Sequence, residues 1–242
     1  ELGARAAPDG YTLLSLGDTL LLVGATQRVP FDVRKTFDPV AHLTAQPYIL
    51  LVGLSLPANN MKELVAYSAT QTLTYGSSGI AGTVHVGMEQ LAKITGAKFL
   101  HVPYKGGALA VNDTLAGTVD AMFAVLPEAL PHIQSGKLHA LGLMSPQRSP
   151  VLGTVPTMAE GGVADLNLSA WVGLLAPAKT PRPIIEQLNR AVRSALDAEM
   201  KTKLAESGIE VAPSTPEELQ RTIAADIKLH AELVKAAGLT PQ

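Results

Sequence analysis

The sequence contains no cysteine, which removes disulfide scaffolds, thiolate zinc sites and cysteine nucleophiles together. Aromatic residues make up only 4% of the chain, too few for a surface that stacks sugars or bases. No one sign of charge dominates either: 19 Lys and Arg stand against 21 Asp and Glu, a formal net charge of -2. There is no basic run to follow a phosphate backbone, so nucleic acid is not an expected partner. The longest apolar stretches, such as 19–25 and 48–54, fall far short of the ~20 residues that cross a bilayer. The sequence opens at Glu1 with neither methionine nor leader and reads as a processed or trimmed form.

What is present is an ordinary globular composition, 47% hydrophobic and 17% charged over 242 residues. That length suits two lobes or one large α/β domain. Short apolar runs begin at Leu73, Phe99, Val119 and Leu138, and the first three lead into apolar-periodic segments stopped by Gly96, Gly117 and Gly136. Strands joined by single short helices predict a mainly parallel sheet with right-handed crossovers. Ligands of such sheets sit at the carboxyl ends of strands. The Pro-, Gly- and Ser-rich stretch 145–163 reads as loop and precedes a strand-like run at 169–176.

The C-terminal third is helical in pattern. Thr180 is placed to cap a helix with Pro181 at its first position. A second helix opens on Thr215-Pro216-Glu217-Glu218, a capping box, carries Leu219, Ile223, Ile227 and Val234 on one face, and has Gly238 to end it.

The most informative segment is Tyr75-Gly76-Ser77-Ser78-Gly79-Ile80-Ala81-Gly82-Thr83, between a strand and a helix. Its glycines let the backbone turn tightly, and Ser77, Ser78 and Thr83 offer hydroxyls beside the unpaired amides of a helix start. That makes an anion cradle or, on the plainer reading, a βα turn alone. A phosphate loop would need lysine after Gly82, and glycines at 76, 79 and 82 do not match the dinucleotide fingerprint. Carboxylate is then the simplest anion. The next junction, His101-Val102-Pro103-Tyr104-Lys105-Gly106-Gly107, brings backbone amides, the Tyr104 hydroxyl and the Lys105 ammonium toward the same edge. Asp120 opens the third strand and is kept as a further contact. His85, His101, His132 and His139 lack metal-ligand spacing and read as ordinary histidines. Neither metal nor cofactor is expected. A serine hydrolase built on Ser77 or Ser78 stays open, although the Gly-x-Ser-x-Gly elbow is missing.

Taken in order, several segments resemble the Bug family, the substrate-binding proteins of tripartite tricarboxylate transporters. They are Ala7-Pro8-Asp9-Gly10-Tyr11-Thr12-Leu13-Leu14, the 75–83 loop with His85, 101–106, 117–123, Gly136-Lys137-Leu138, Val155-Pro156-Thr157 with Glu160-Gly161, and 171–177 followed by Thr180-Pro181. The resemblance implies a periplasmic type II binding-protein fold, α/β with mainly parallel sheets flanked by helices, whose two lobes close on a small carboxylate. It points to Ser77, Ser78, Gly79, Gly82 and Thr83 of the first loop and to Tyr104, Lys105 and Gly106 of the second, with Thr19 as a contact from the first lobe. The family's further N-terminal βαβ portion has no counterpart here. The lobes are expected at 1–53 with 173–242, and at 54–172. The implied partners are a small carboxylate and the membrane subunits of the transporter, with no turnover and no insertion into the membrane. The alternatives are the hydrolase and the effector-binding domain of a sensor or regulator.

Overall fold

A computed structural model describes residues 2–21, 32–164, 166 and 168–236. Its elements are, in chain order, β1 (Leu14–Gly17), α1 (Val33–Thr36), β2 (Phe37–Gly53), α2 (Met61–Ser68), β3 (Leu73–Ser77), α3 (Thr83–Thr95), β4 (Phe99–Pro103) and α4 (Gly107–Ala116). They continue with β5 (Ala121–Val125), α5 (Leu126–Gln134), β6 (Leu138–Met144), β7 (Ser169–Pro177), α6 (Arg182–Ala195), α7 (Ala198–Ala205), β8 (Glu210–Val211) and α8 (Pro216–Ala236). The chain divides into two compact units, Glu1–Ala45 with Ala170–Gln242, and Gln46–Ser169. One passage between them falls inside β2 and the other at the start of β7.

In the unit 46–169 the strands lie in the order β6-β2-β5-β3-β4. β3 runs parallel to β4 and β5, and β2 is antiparallel to both β5 and β6. The expected mainly parallel sheet is present, with β2 inserted as its one reversed strand. Tyr48, Ile49, Leu50, Leu51 and Val52 are all buried, which is the continuous apolar run of a strand covered on both faces. From β3 the chain steps outward to β4 and then back past β3 to β5, so right-handed crossovers place α3 on one face and α4 and α5 on the other. The packing agrees. Ala110 and Val111 of α4 and Leu126, Ala129 and Leu130 of α5 share a cluster with Ile49, Leu51, Met122 and Ala124. On the opposite face, a Cβ on Gly87 of α3 would stand 3.7 Å from the Phe123 ring. The point where the crossovers change face lies at the carboxyl ends of β3 and β5, where open α/β sheets bind ligands. α3 and α4 end on Gly96 and Gly117, with φ of 73° and 75°, the left-handed caps that the glycine stops predict.

In the other unit β1 pairs antiparallel with β7, and β8 pairs antiparallel with β2 at Thr44 and Ala45. Leu16, Phe37, Trp171, Leu175, Leu219 and Ile223 form its core. The capping box of α8 is made as predicted: Thr215 N–H donates to Glu218 Oε2 at 2.8 Å, and Glu218 N–H donates to Thr215 Oγ1 at 3.2 Å. Thr180 departs from expectation. Pro181 is extended at ψ 134° and is itself the cap of α6, so the helix starts one residue later. The Thr180 hydroxyl turns back to donate to the Pro177 carbonyl at 2.7 Å. Gly238 lies outside the described residues.

Candidate functional site

β3 delivers the chain to the first loop. Ser77, its last residue, is fully buried, and its Oγ accepts the Gly79 N–H at 3.2 Å and donates toward the Gly79 carbonyl at 3.0 Å. The turn that follows holds Gly79 at φ 151° and Ala81 at φ 58°, a region that L residues seldom occupy. Gly82 caps α3 without a side-chain bond, and the first i to i−4 bond of that helix runs from Val86 N–H to the Gly82 carbonyl at 3.0 Å. The amides of the first turn therefore have no i−4 carbonyl inside the helix. Exposed Ser78 puts its hydroxyl over this helix start, 3.6 Å from where a Cβ on Gly82 would stand. Thr83 is buried at the first helical position.

Beneath the loop lie two imidazoles. Tyr75 of β3 stands in register with His101 of β4, their rings stack at 4.9 Å, and the His101 ring stacks in turn on His85 of α3 at 3.8 Å. His101 Nε2 is 2.6 Å from Ser77 Oγ, and His85 Nδ1 accepts the Ala81 N–H at 2.8 Å. Burial, helped by the neighbouring His85, lowers His101 to about 4. Burial also lowers His85, against the opposing pull of Glu89. Both rings are thus neutral at ordinary pH. Tyr75 completes the layer by donating its hydroxyl to Glu89 Oε1 at 2.7 Å. Burial, reinforced by that bond, raises the Tyr75 phenol far above its usual range.

These are not ordinary histidines. They fasten the loop at Ser77 and at Ala81. Two signals in the sequence point to them: His85 falls three residues after Gly82, the place from which a capping side chain reaches back, and His101 falls opposite Tyr75 once the parallel strands are aligned. Among the described residues, no group of His, Asp or Glu has the arrangement to hold a metal.

The second loop joins the first through its backbone. Tyr104 N–H donates to the Ser77 carbonyl at 3.0 Å, and a Cβ on Gly79 would stand 3.9 Å from the Tyr104 carbonyl oxygen. The Tyr104 hydroxyl, expected to point toward the ligand, instead donates to Asp113 Oδ2 at 2.6 Å while its ring packs against the core. Burial, with that bond second, pushes the phenol up to about 12. Lys105 is exposed, and Gly106 at φ 121° caps α4. The start of α4 already carries an acid: a Cβ on Gly107 would lie 3.0 Å from Glu128 Oε2, and burial raises that carboxyl. Glu128, at the start of α5, was not singled out by its sequence context.

Asp120 does not join the loops. Its carboxylate accepts from Thr74 N–H at 2.7 Å and Thr74 Oγ1 at 2.8 Å, at the amino ends of β3 and β5 and thus across the sheet from the 77–83 turn. Asp120→Ala is expected to lower stability by about 2 kcal/mol through these lost charge-assisted bonds. Thermal melting of the variant beside the parent checks this. Thr19, the contact proposed from the first lobe, belongs to the other unit, where it is exposed in a helical turn after β1.

Residues 2–239 match the sequence model of the tripartite tricarboxylate transporter family receptor. The chain belongs to this receptor family. Its solved relatives share the architecture just described. R. palustris Rpa4515, a structure with adipate, is 30% identical, with a TM-score of 0.93 over 100% of this chain and 82% of that one. The periplasmic binding protein BugD is 30% identical, with a TM-score of 0.90 over 99% of this chain and 82% of its own. MatC from Rhodopseudomonas palustris, with bound malate, is 30% identical, with a TM-score of 0.85 over 96% and 82%. The α/β binding-protein fold implied by the resemblance to the Bug family is the fold of these receptors.

Proposed function

We propose that this chain is a periplasmic receptor that captures a small carboxylate at the 77–83 turn and delivers it to the membrane subunits of a tripartite transporter, without chemical turnover. The observation that carries this reading is the contrast between the two helix starts at the carboxyl edge of the sheet. The start of α3 is served by neutral groups, a serine hydroxyl, glycines and an imidazole, whereas the start of α4 has the Glu128 carboxyl against it. A carboxyl already lodged against α4 takes up that helix start and, when ionised, repels a second anion there, so an anion belongs at α3. Backbone amides at a helix start suit a carboxylate with no cation required. The adipate and malate in the two relatives are the chemistry expected here.

Among the described residues, the Ser77 to His101 distance of 2.6 Å is the feature that favours hydrolysis. Catalysis needs a nucleophile that substrate can reach, and Ser77 is fully buried with its hydroxyl engaged by both backbone groups of Gly79. The pair reads better as a latch.

The test is a thermal-shift screen with adipate, malate and longer di- and tricarboxylates. An acid at 100 times its dissociation constant is expected to add about 2.7 kcal/mol of stability. If no acid raises the melting temperature of the well-folded protein, the carboxylate assignment fails.

A further inference from the structure

We propose that His85 is a positioning residue for the ligand loop: it caps the start of α3 with an uncharged acceptor, holding the 79–82 turn in shape while leaving the helix start open to an anion. The inference rests on the reading of that turn as the carboxylate site and says how the turn is kept fit for it. Helix starts commonly hold their leading amides with Glu or Gln at the third helical position reaching back, and a negative charge there is favoured by the helix dipole.

This chain follows that practice elsewhere. At α2, capped by Asn60, Glu63 accepts the Asn59 N–H at 2.7 Å. At α8, Glu218 accepts the Thr215 N–H at 2.8 Å. At the short turn before 160, Glu160 accepts the Thr157 N–H at 2.8 Å. At α3 the third helical position again reaches back, as at α2 to the residue before the cap, but by an imidazole: His85 Nδ1 to Ala81 N–H, 2.8 Å. The first turn of α3 holds no acid, while that of α2 has Glu63 and that of α8 has Glu217 and Glu218.

The physical reason is plain. A carboxylate capping α3 would occupy the field that the bound anion needs and repel it at contact range. An imidazole makes the same hydrogen bond without charge, provided that it stays neutral. Burial and the Ala81 N–H, which needs a bare Nδ1, keep it so against the pull of Glu89. Nδ1 is the acceptor, so the ring proton is on Nε2, which faces Glu89 Oε1 at 3.9 Å. His101 of β4 stacks on one side and Tyr75 of β3 lies beyond at 6.3 Å. The bond also holds Ala81, a non-glycine residue, at φ 58°, and so sets the direction in which the amides of the turn point.

The experiment compares the wild-type chain with His85→Gln, His85→Glu and His85→Phe. Two readouts are used: hydrogen exchange of the Ala81 amide without ligand, and calorimetric titration with adipate and with malate. Gln keeps a neutral acceptor, Glu keeps the acceptor with a charge, and Phe keeps the ring stack with no acceptor. The Ala81 amide is expected to stay protected in wild type, Gln and Glu and to exchange fast in Phe. Affinity is expected to be retained in Gln and to fall about tenfold or more in both Glu and Phe, the scale of one helix-terminus charge or one lost array of amides. Equal binding by the Glu and Gln variants overturns the charge argument, and an unchanged Ala81 amide in Phe overturns the positioning. Failure of wild type to bind either acid counts against the capture reading, and the amide pattern then decides the positioning role alone.

Discussion

Gly79→Val is expected to weaken carboxylate binding about a thousandfold, ~4 kcal/mol, while the unfolding transition survives. Gly79 sits at φ 151°, so a β-branched side chain there must either accept strain or rotate the turn. Nothing nearer than the Tyr104 carbonyl, at 3.9 Å, opposes the added Cβ itself, so the cost falls on the backbone and not on packing. Rotation breaks the Gly79 N–H to Ser77 bond and the Gly82 N–H to Gly79 bond, turning the amides away from the anion. Hydrogen bonds to a charged group contribute about 1.5–3 kcal/mol each, and losing two of them accounts for the effect. Titration of the variant with an acid that stabilises the parent checks it. Affinity within tenfold of the parent would show that the anion is held elsewhere.

The parts of this molecule that were legible in the sequence are those whose physics is local. Gly96 and Gly117 end helices because the left-handed cap admits glycine most readily, and that preference is written in the residue itself. Thr215 and Glu218 satisfy each other three residues apart, again within one turn. The 77–83 turn was visible for the same reason. What was not legible depends on distance in space. Tyr104 and Asp120 are polar residues at strand ends, but the sequence does not say which way they face, and their partners prove to be Asp113 and Thr74. β2 was hidden as well: Pro39 and Pro47 interrupt its pattern, and proline ordinarily argues against a central strand. Only its apolar second half stood out, as a run and not as a reversed strand.

The two histidines show most clearly why a site exceeds its motif. His101 matters because β3 and β4 lie in register, so that Tyr75 and His101 stack and the imidazole meets Ser77. His85 matters because α3 brings its ring up against that stack and under Ala81. Glycines give the turn its freedom, and the imidazoles then remove it, leaving one conformation. A preorganised cradle of this kind spares the ligand the cost of ordering a loop on binding. Charge is kept out of it at each step: Ser78 is a hydroxyl, the caps are glycine, and the acids of this region, Glu89 and Glu128, serve Tyr75 and the start of α4.

Trp171→Ala should have the largest effect on stability in the unit that carries the termini, a loss of about 4 kcal/mol. The residue is 4% exposed in the core cluster with Leu16, Leu175, Leu219 and Ile223. Its indole N–H donates to Asp226 of α8, and its ring lies 5.6 Å from His42 of β2. Truncation therefore removes two things together: the buried ring, and the bond that ties β7 to α8, whose loss leaves the Asp226 carboxylate to find water. Trp171→Phe separates these contributions, since it keeps most of the buried surface and loses the N–H. Its expected cost is about 2 kcal/mol, from the unpaired group and the volume change. Chemical denaturation of both variants checks the ordering. Equal losses for Phe and Ala would mean that the hydrogen bond to Asp226, and not the burial of the ring, holds α8 to the sheet.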